Sequence, residues 1–230
     1  MESPLSLIAG GTGLVGSHVI EALSKKSGAQ IILARSFDSE IPQNADLQII
    51  NFDSLSSNKV KLKNDIDHVY LCLGKRLSTH ELGYMQHTAR ESFKLIDFEY
   101  PLSIAKLAYD SGARSIALVS AVGAQEGSFN YYFHIKGKLE NEIKKIGYEN
   151  ICFARPGHLL GARKDFRGYE IPILESGLRI AAPFMQGPLM NFRQIEAQQV
   201  AESMVVNLQN KKGGESYLFY EDFLKTDTFE

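Results

Sequence analysis

Leu5-Ser-Leu-Ile-Ala-Gly-Gly-Thr-Gly-Leu-Val-Gly16 is a short apolar run that ends in Gly10, Gly13 and Gly16 at three-residue spacing. An amphipathic segment follows at once. A first strand reads this way when it feeds a glycine turn and a helix whose N-terminus receives a dinucleotide pyrophosphate. Each glycine then has a task. Gly10 permits the tight turn, Gly13 lets the backbone approach the phosphates without a Cβ, and Gly16 lets the helix pack on the strand. Thr12, Leu14 and Val15 complete the turn and the first helical residues, and are expected to line the same cofactor.

Outward from this turn, strands and helices alternate, which predicts a parallel sheet covered on both faces. The first helix spans 14–27, with Val15, Val19, Ala22 and Leu23 on one face and Gly28 as its stop. Further strands are expected at 30–34, 47–52, 68–73, 115–120 and 151–156. Residues 90–111 read as a helix with Phe93, Ile96, Tyr100, Ile104, Leu107 and Ala108 on one stripe, which Pro101 should kink or divide. Residues 131–146 form another helix, with Ile135, Leu139 and Ile143 inward, and 195–208 resume a helical pattern. The fold class is therefore α/β: a Rossmann-type doubly wound parallel sheet with helices on both faces and a small C-terminal segment capping the substrate. We expect one NAD(P)-binding domain over 1–230, with 158–195 as an irregular substrate-pocket segment within it.

Tyr132 and Lys136 lie four apart, so a helix places both side chains on one face, about one turn from each other. A phenol is a poor acid–base group at neutral pH, but a neighbouring ammonium favours the phenolate and is expected to lower its pKa. Such a pair can protonate a developing alkoxide, or deprotonate an alcohol in reverse. Ser120 ends the fifth predicted strand, where ligands of open α/β sheets bind. Its hydroxyl can hydrogen-bond a carbonyl oxygen during hydride transfer. Alone, each of these residues is as well explained by a surface aromatic, a solvated lysine or a loop serine. Their order behind the glycine turn makes them a candidate catalytic set.

At this point the chain resembles the short-chain dehydrogenase/reductase superfamily, and within it the atypical single-domain group of Tat-interacting-protein-like reductases. The resemblance rests on Ala9-Gly-Gly-Thr-Gly-Leu-Val-Gly16, Leu71-Cys-Leu-Gly74, Leu118-Val-Ser120, Tyr132-Phe-His-Ile-Lys136 and Ala154-Arg-Pro-Gly157, in family order. It implies that Gly10, Gly13 and Gly16 hold the pyrophosphate, and that Leu73 and Gly74 lie along the adenosine half. It implies further that Ser120 and Tyr132 bind the substrate carbonyl, that Lys136 also binds the nicotinamide ribose, and that Pro156 and Gly157 border the nicotinamide. The chain departs from the pattern in places. It has Ser120-Ala121 where many members have two serines, and Leu73 where many have Asn before the glycine. Ile96-Asp97 stand where an Asn of the long helix helps hold a relay water; Asp97 is either its substitute or a solvated helix carboxylate. His134 is expected to point away from the site. The resemblance also leaves room for a homodimer through the helices 90–111 and 131–146.

The second strand bears on the cofactor. It ends Ala34-Arg35-Ser36, with no carboxylate before Asp38. A carboxylate there would suit the ribose 2′-hydroxyl of NAD, whereas Arg35, helped by Ser36 and Thr12, suits the 2′-phosphate of NADP. NADP (as NADPH) is therefore expected over NAD, with Asp53 as a partner for the adenine amino group. Downstream, Arg163, Lys164, Phe166, Arg167, Tyr169, Phe184, Met185, Met190 and Phe192 should shape the substrate site.

Composition limits the rest. The 230 residues are 44 % hydrophobic and 23 % charged, values ordinary for a globular protein. A net charge of −2 gives no electrostatic case for nucleic acid or an anionic membrane. No apolar run approaches the roughly 20 residues of a spanning helix, and no secretory signal is visible. Cys72 and Cys152 fall in predicted buried strands without metal-type spacing, and read as free thiols in a reducing compartment. A cytoplasmic NADP-dependent oxidoreductase acting on a small carbonyl or alcohol is the leading expectation. A non-catalytic NADP(H)-binding sensor is the alternative, and an isomerase or epimerase that retains its cofactor a third.

Overall fold

The computed structural model describes residues 4–26, 28–57, 60, 62, 65–161, 185–210 and 213–225. Its strands are β1 (Ser6–Ala9), β2 (Gln30–Ala34), β3 (Ala45–Ile49), β4 (His68–Leu71), β5 (Ser115–Val119), β6 (Asn150–Ala154), β7 (Leu159–Leu160), β8 (Ile195–Glu196) and β9 (Gly214–Leu218). Seven of them form one sheet in the order β3-β2-β1-β4-β5-β6-β9, and every neighbouring pair is parallel. The chain winds outward from β1 to one edge and then from β4 to the other. That reversal between β1 and β4 opens a crevice at their carboxyl ends, where ligands of this architecture bind.

Both faces of the sheet are covered, as a parallel sheet requires. Alternate strand residues serve alternate faces. Leu7, Leu33, Val69, Leu71, Ile116, Leu118 and Phe153 lie on one face, under α4 (Tyr100–Asp110) and α5 (Tyr131–Lys144). Ile8, Ile32, Tyr70, Ala117 and Cys152 lie on the other, under α1 (Leu14–Lys25) and α6 (Ala197–Asn210). The expected apolar faces of 14–27 and 131–146 are buried as read: Val15, Val19 and Leu23 in α1, and Ile135, Leu139 and Ile143 in α5.

The long helix differs from expectation in an informative way. It runs as α3 (His87–Lys94), a π turn (Leu95–Glu99) and α4 without a break. Pro101 has no N–H and its ring would crowd the carbonyl of Asp97, four residues back. The turn before it widens instead, and the Tyr100 amide bonds the Leu95 carbonyl, five residues back. Ile96, read as a core residue, is only half-buried, while Asp97 beside it is buried.

Other differences are local. β3 lies at 45–49 rather than 47–52, because Asn51 Oδ1 accepts the Asp53 amide at 3.0 Å and starts the 3-10 turn Phe52–Ser57. β4 stops at Leu71 rather than at residue 73, which leaves Cys72 just beyond the strand. The last long helix starts at Ala197 rather than 195, because Ile195 and Glu196 pair with Leu159 and Leu160 as strands. β9 extends the sheet past the six strands read from sequence. Its exposed Gly214 and Glu215 give an edge strand little apolar signature. α2 (Thr79–Gly83) carries a capping box between Ser78 and Glu81 that the sequence reading passed over.

α5 carries the candidate acid–base pair, and several contacts fix it. Asn130 caps it, its Oδ1 accepting the Tyr132 amide at 2.9 Å, while its Nδ2 donates to the Leu82 carbonyl at 2.8 Å. In its middle, buried Glu140 pairs two-pronged with Arg155, just beyond β6. Gly137 lets the helix press against the 125–126 backbone, where a Cβ would sit 2.3 Å from Gln125 C. Gly137→Ala is therefore expected to cost about 1–3 kcal/mol of stability, the range for overpacking. Gly83→Ala, which meets nothing within 4 Å, serves as its control. Denaturant unfolding of the two variants checks this, and equal midpoints would contradict it.

Candidate active site

The turn after β1 is built by backbone contact. Gly10 has φ +89°, and a Cβ there would lie 2.6 Å from the carbonyl carbon of Cys72. A Cβ on Gly16 would lie 2.1 Å from the Gly10 carbonyl oxygen. The turn therefore rests against the end of β4 on one side and the first turn of α1 on the other. Gly13 is the N-cap of α1, without a side-chain cap and with no acidic residue in the first turn. The helix thus presents unpaired amides and its positive end to an anion. Thr12 is exposed and Leu14 half-buried, while the Val15 side chain packs into the core, leaving Val15 only its amide for a ligand.

Lys136 is 5 % exposed, and its Nζ lies 2.9 Å from Asp97 Oδ1. The other oxygen, Oδ2, accepts the Lys75 amide at 2.6 Å. Asp97 is itself 1 % exposed, so the solvated-carboxylate reading does not stand. Nζ of Lys136 lies 6.0 Å from the centre of the Tyr132 ring, so the pair shares one face of α5 as the spacing predicts. Tyr132 packs against Phe93 and Phe133.

The electrostatics correct one expectation. Burial pushes the Tyr132 hydroxyl above the ordinary phenol range; Lys136 pulls it down, and Asp97 pushes it up again. The net shift is upward, not downward, because burial outweighs an ammonium already paired with a carboxylate. Burial also works against the charge of Lys136. Asp97 above all, then Tyr132 and Glu140, outweigh it and hold the lysine above its usual range. Tyr132 at neutral pH is thus a phenol, able to give a proton.

Ser120 lies directly after β5, its amide bonded to the Ala154 carbonyl at 2.7 Å. It is 3 % exposed, and its Oγ has no hydrogen-bond partner among the described residues. A buried hydroxyl without a partner is uncommon and asks for an acceptor or donor from outside. His134 turns away as expected, with Nδ1 accepting the Gly127 amide at 3.0 Å. The Pro156 carbonyl accepts the Val122 amide at 3.0 Å, and Gly157 sits against the backbone of 191–193. Leu73 and Gly74 follow β4, with Gly74 beside Asp97. Burial pushes the Cys72 thiol up to about 12.

At the far end of the crevice Arg35 is exposed, 5.9 Å from the centre of the Phe52 ring, and Ser36 beside it is exposed too. Tyr100 stacks edge-on with Phe52 and donates its hydroxyl to Asp53 Oδ1. Of the expected substrate-segment residues, Met185, Met190 and Phe192 are described, with Phe192 exposed. Arg163, Lys164, Phe166, Arg167, Tyr169 and Phe184 lie outside the described residues.

The structure thus unites Gly10, Leu73, Gly74, Asp97, Lys136 and Tyr132 in one continuous set of contacts, while Arg35, Ser36 and Asp53 form a separate group. The glycine cradle, the open helix end and the unpartnered Ser120 hydroxyl fit a dinucleotide with its reacting end near Ser120. Asp97 is the residue that sequence reasoning left undecided, and Pro101 four residues on was the available signal for the widened turn that buries it.

Comparison with known proteins agrees. The model of the NAD dependent epimerase/dehydratase family matches residues 6–169. "Protein FMP52, mitochondrial" of Candida albicans is 28 % identical over 215 residues, covering 91 % of this chain and 90 % of that protein. "Protein HTATIP2" of Rattus norvegicus is 24 % identical over 175 residues, covering 74 % of this chain and 69 % of the rat protein. The resemblance to Tat-interacting-protein-like members of the short-chain dehydrogenase/reductase superfamily is borne out. Among solved structures, UDP-N-acetylglucosamine 4-epimerase from Bacillus cereus superposes with a TM-score of 0.60 at 21 % identity, over 94 % of this chain and 79 % of that one. It shares the fold. The expectation of a cytoplasmic protein is overturned, since the fungal relatives are named mitochondrial.

The unpartnered Ser120 hydroxyl has a consequence for stability. Burying it without a partner costs about 1–3 kcal/mol. Ser120→Ala is therefore expected to hold or raise the thermal midpoint of the ligand-free protein. A clear fall in that midpoint would show that the hydroxyl is satisfied within the fold.

Proposed function

The chain belongs to the NAD dependent epimerase/dehydratase family, and from that premise we propose an NADP-dependent oxidoreductase acting on a small carbonyl or alcohol. The bound nicotinamide would supply or accept the hydride. The observation that carries this reading is the Tyr132–Lys136 pair on one face of α5, its lysine buried against Asp97, together with the unpartnered Ser120 hydroxyl just after β5.

Tyr132 gives its proton to the substrate oxygen or takes it back. Lys136, held charged by Asp97, stabilises the phenolate left behind and anchors the ribose. Ser120 donates a hydrogen bond to the same oxygen. Gly10, Thr12, Gly13, Leu14, Val15 and Gly16 seat the pyrophosphate through backbone amides, and Leu73, Gly74, Pro156 and Gly157 flank the adenosine and nicotinamide halves. Asp53 meets the adenine. By the names of the fungal relatives, we infer a mitochondrial protein.

Arg35 supports NADP. Its guanidinium has no carboxylate in ion-pair range among the described residues, and β2 ends without an acid to hold a ribose 2′-hydroxyl. A charge-assisted bond contributes about 1.5–3 kcal/mol. Arg35→Ala should therefore weaken NADPH binding about tenfold or more and leave NADH binding unchanged, as titration calorimetry would read. An equal loss for both nucleotides, or a native preference for NADH, removes the assignment.

Tyr132→Phe tests the chemistry. General acid catalysis contributes about 10²–10⁴-fold, so NADPH oxidation over a broad carbonyl panel should fall by that order while nucleotide affinity stays. Tight NADPH binding by the native protein with no oxidation of any carbonyl would favour a sensor.

A further inference from the structure

We propose that Asp97 is a positioning residue that keeps the Tyr132–Lys136 pair loaded with its protons, so that the resting site holds a proton to give to substrate oxygen. The inference rests on the catalytic reading above and adds to it the group that sets the proton affinity of the pair.

The geometry singles out Asp97. It sits on the π turn that Pro101 imposes, with its carboxylate buried between two partners from different segments. One oxygen lies 2.9 Å from Lys136 Nζ, and the other accepts the Lys75 amide at 2.6 Å. The two side chains are 2 % and 6 % exposed, so water does little to share the charge.

Among the described residues, few other charges face the pair. Tyr132 and Glu140 face Lys136 from α5 itself, and Lys136 and Asp97 face Tyr132. Glu140 is already engaged two-pronged by Arg155. From the segment after β4, Lys75 offers its amide, while its ammonium goes to Ser92 Oγ at 2.9 Å. Asp97 is therefore the carboxylate that compensates Lys136. Without that charge the buried pair carries a surplus proton that burial disfavours. Whether Lys136 or Tyr132 releases it, the first proton leaves at lower pH, because the two titrate as a unit.

The proton step needs no further reagent. The Tyr132 O–H bond breaks, an O–H bond forms on the substrate oxygen, and the phenolate recovers its proton from solvent.

The test is an NMR titration of the full chain carrying labelled tyrosine and lysine, with Tyr132→Phe and Lys136→Met assigning the signals. Asp97→Asn keeps the shape and an acceptor for the Lys75 amide while removing the charge. Its first titration midpoint should fall by about one pH unit or more, a tenfold change in proton affinity, and Asp97→Glu should restore most of it. A folded Asp97→Asn protein with an unmoved midpoint overturns the proposal. If that variant does not fold, Asp97→Asn/Lys136→Met removes both charges, and Tyr132 should then titrate no lower than in the native protein; a fall overturns it equally. The titration is read without turnover. A midpoint that shifts as expected in a protein that oxidises no NADPH therefore counts against the oxidoreductase reading and leaves the role of Asp97 intact.

Discussion

An ammonium and a carboxylate shut away from water have to stay together, since burying either one alone costs several kcal/mol. Lys136 and Asp97 are in that position, and the rest of the site is arranged around keeping them so. The lysine comes from α5, the carboxylate from the π turn of the long helix, and the amide completing the carboxylate's hydrogen bonds from the segment after β4. That segment in turn lies against Gly10, whose turn feeds α1. The glycine turn and the Tyr132–Lys136 pair, far apart in sequence, are thereby one assembly. Displacing either helix would leave a buried charge without its partner, and displacing the segment after β4 would leave the carboxylate short of a hydrogen bond.

α5 needs a second anchor, because one ion pair fixes a point on a helix and not its direction. Arg155 supplies it, engaging Glu140 with two nitrogens and covering the Tyr217 ring at 4.7 Å. Asn130 holds the start of the helix and Tyr148, beyond its end, bonds the Ala105 carbonyl at 2.7 Å. These constraints differ in weight from the ion pairs on the outer surface. Lys25 with Glu21 is solvated, and such pairs contribute about 0–1 kcal/mol. The buried pairs act chiefly through what their loss would expose, which makes them determinants of geometry.

What could be read from the sequence follows the same division. The glycine turn was legible because its residues answer to backbone geometry: a Cβ at Gly10 or Gly16 has nowhere to go, whatever surrounds the turn. Core stripes at 3.6-residue spacing identified α1 and α5. The long helix was legible only in part, because a π turn changes which residues face inward. The 3.6-residue stripe puts Ile96 in the core and leaves Asp97 undecided, whereas the widened turn gives the buried position to Asp97. The phenol of Tyr132 was misjudged for a related reason. Spacing on a helix shows that an ammonium is near, but not how far burial opposes the phenolate or that a carboxylate has already claimed the ammonium. β9 escaped notice because an edge strand with a half-wet face carries little apolar pattern.

The nucleotide end of the crevice shows why a fold shared with sugar-nucleotide epimerases fixes the place of a ligand before its identity. Two features there have different freedom. Asp53 is held by the Tyr100 hydroxyl, and Tyr100 belongs to the helix that carries the π turn, so this carboxylate is committed to the frame. Among the described residues, Arg35 is tied only by its position over Phe52, with its charge exposed. A committed group holds whatever fits a fixed geometry, such as a flat base. An exposed guanidinium on an aromatic support can meet a phosphate two-pronged without surrendering a prior partner. On the proposed reading, choice between the two nucleotides therefore turns on the least constrained residue of the cofactor site, while the proton chemistry turns on its most constrained one.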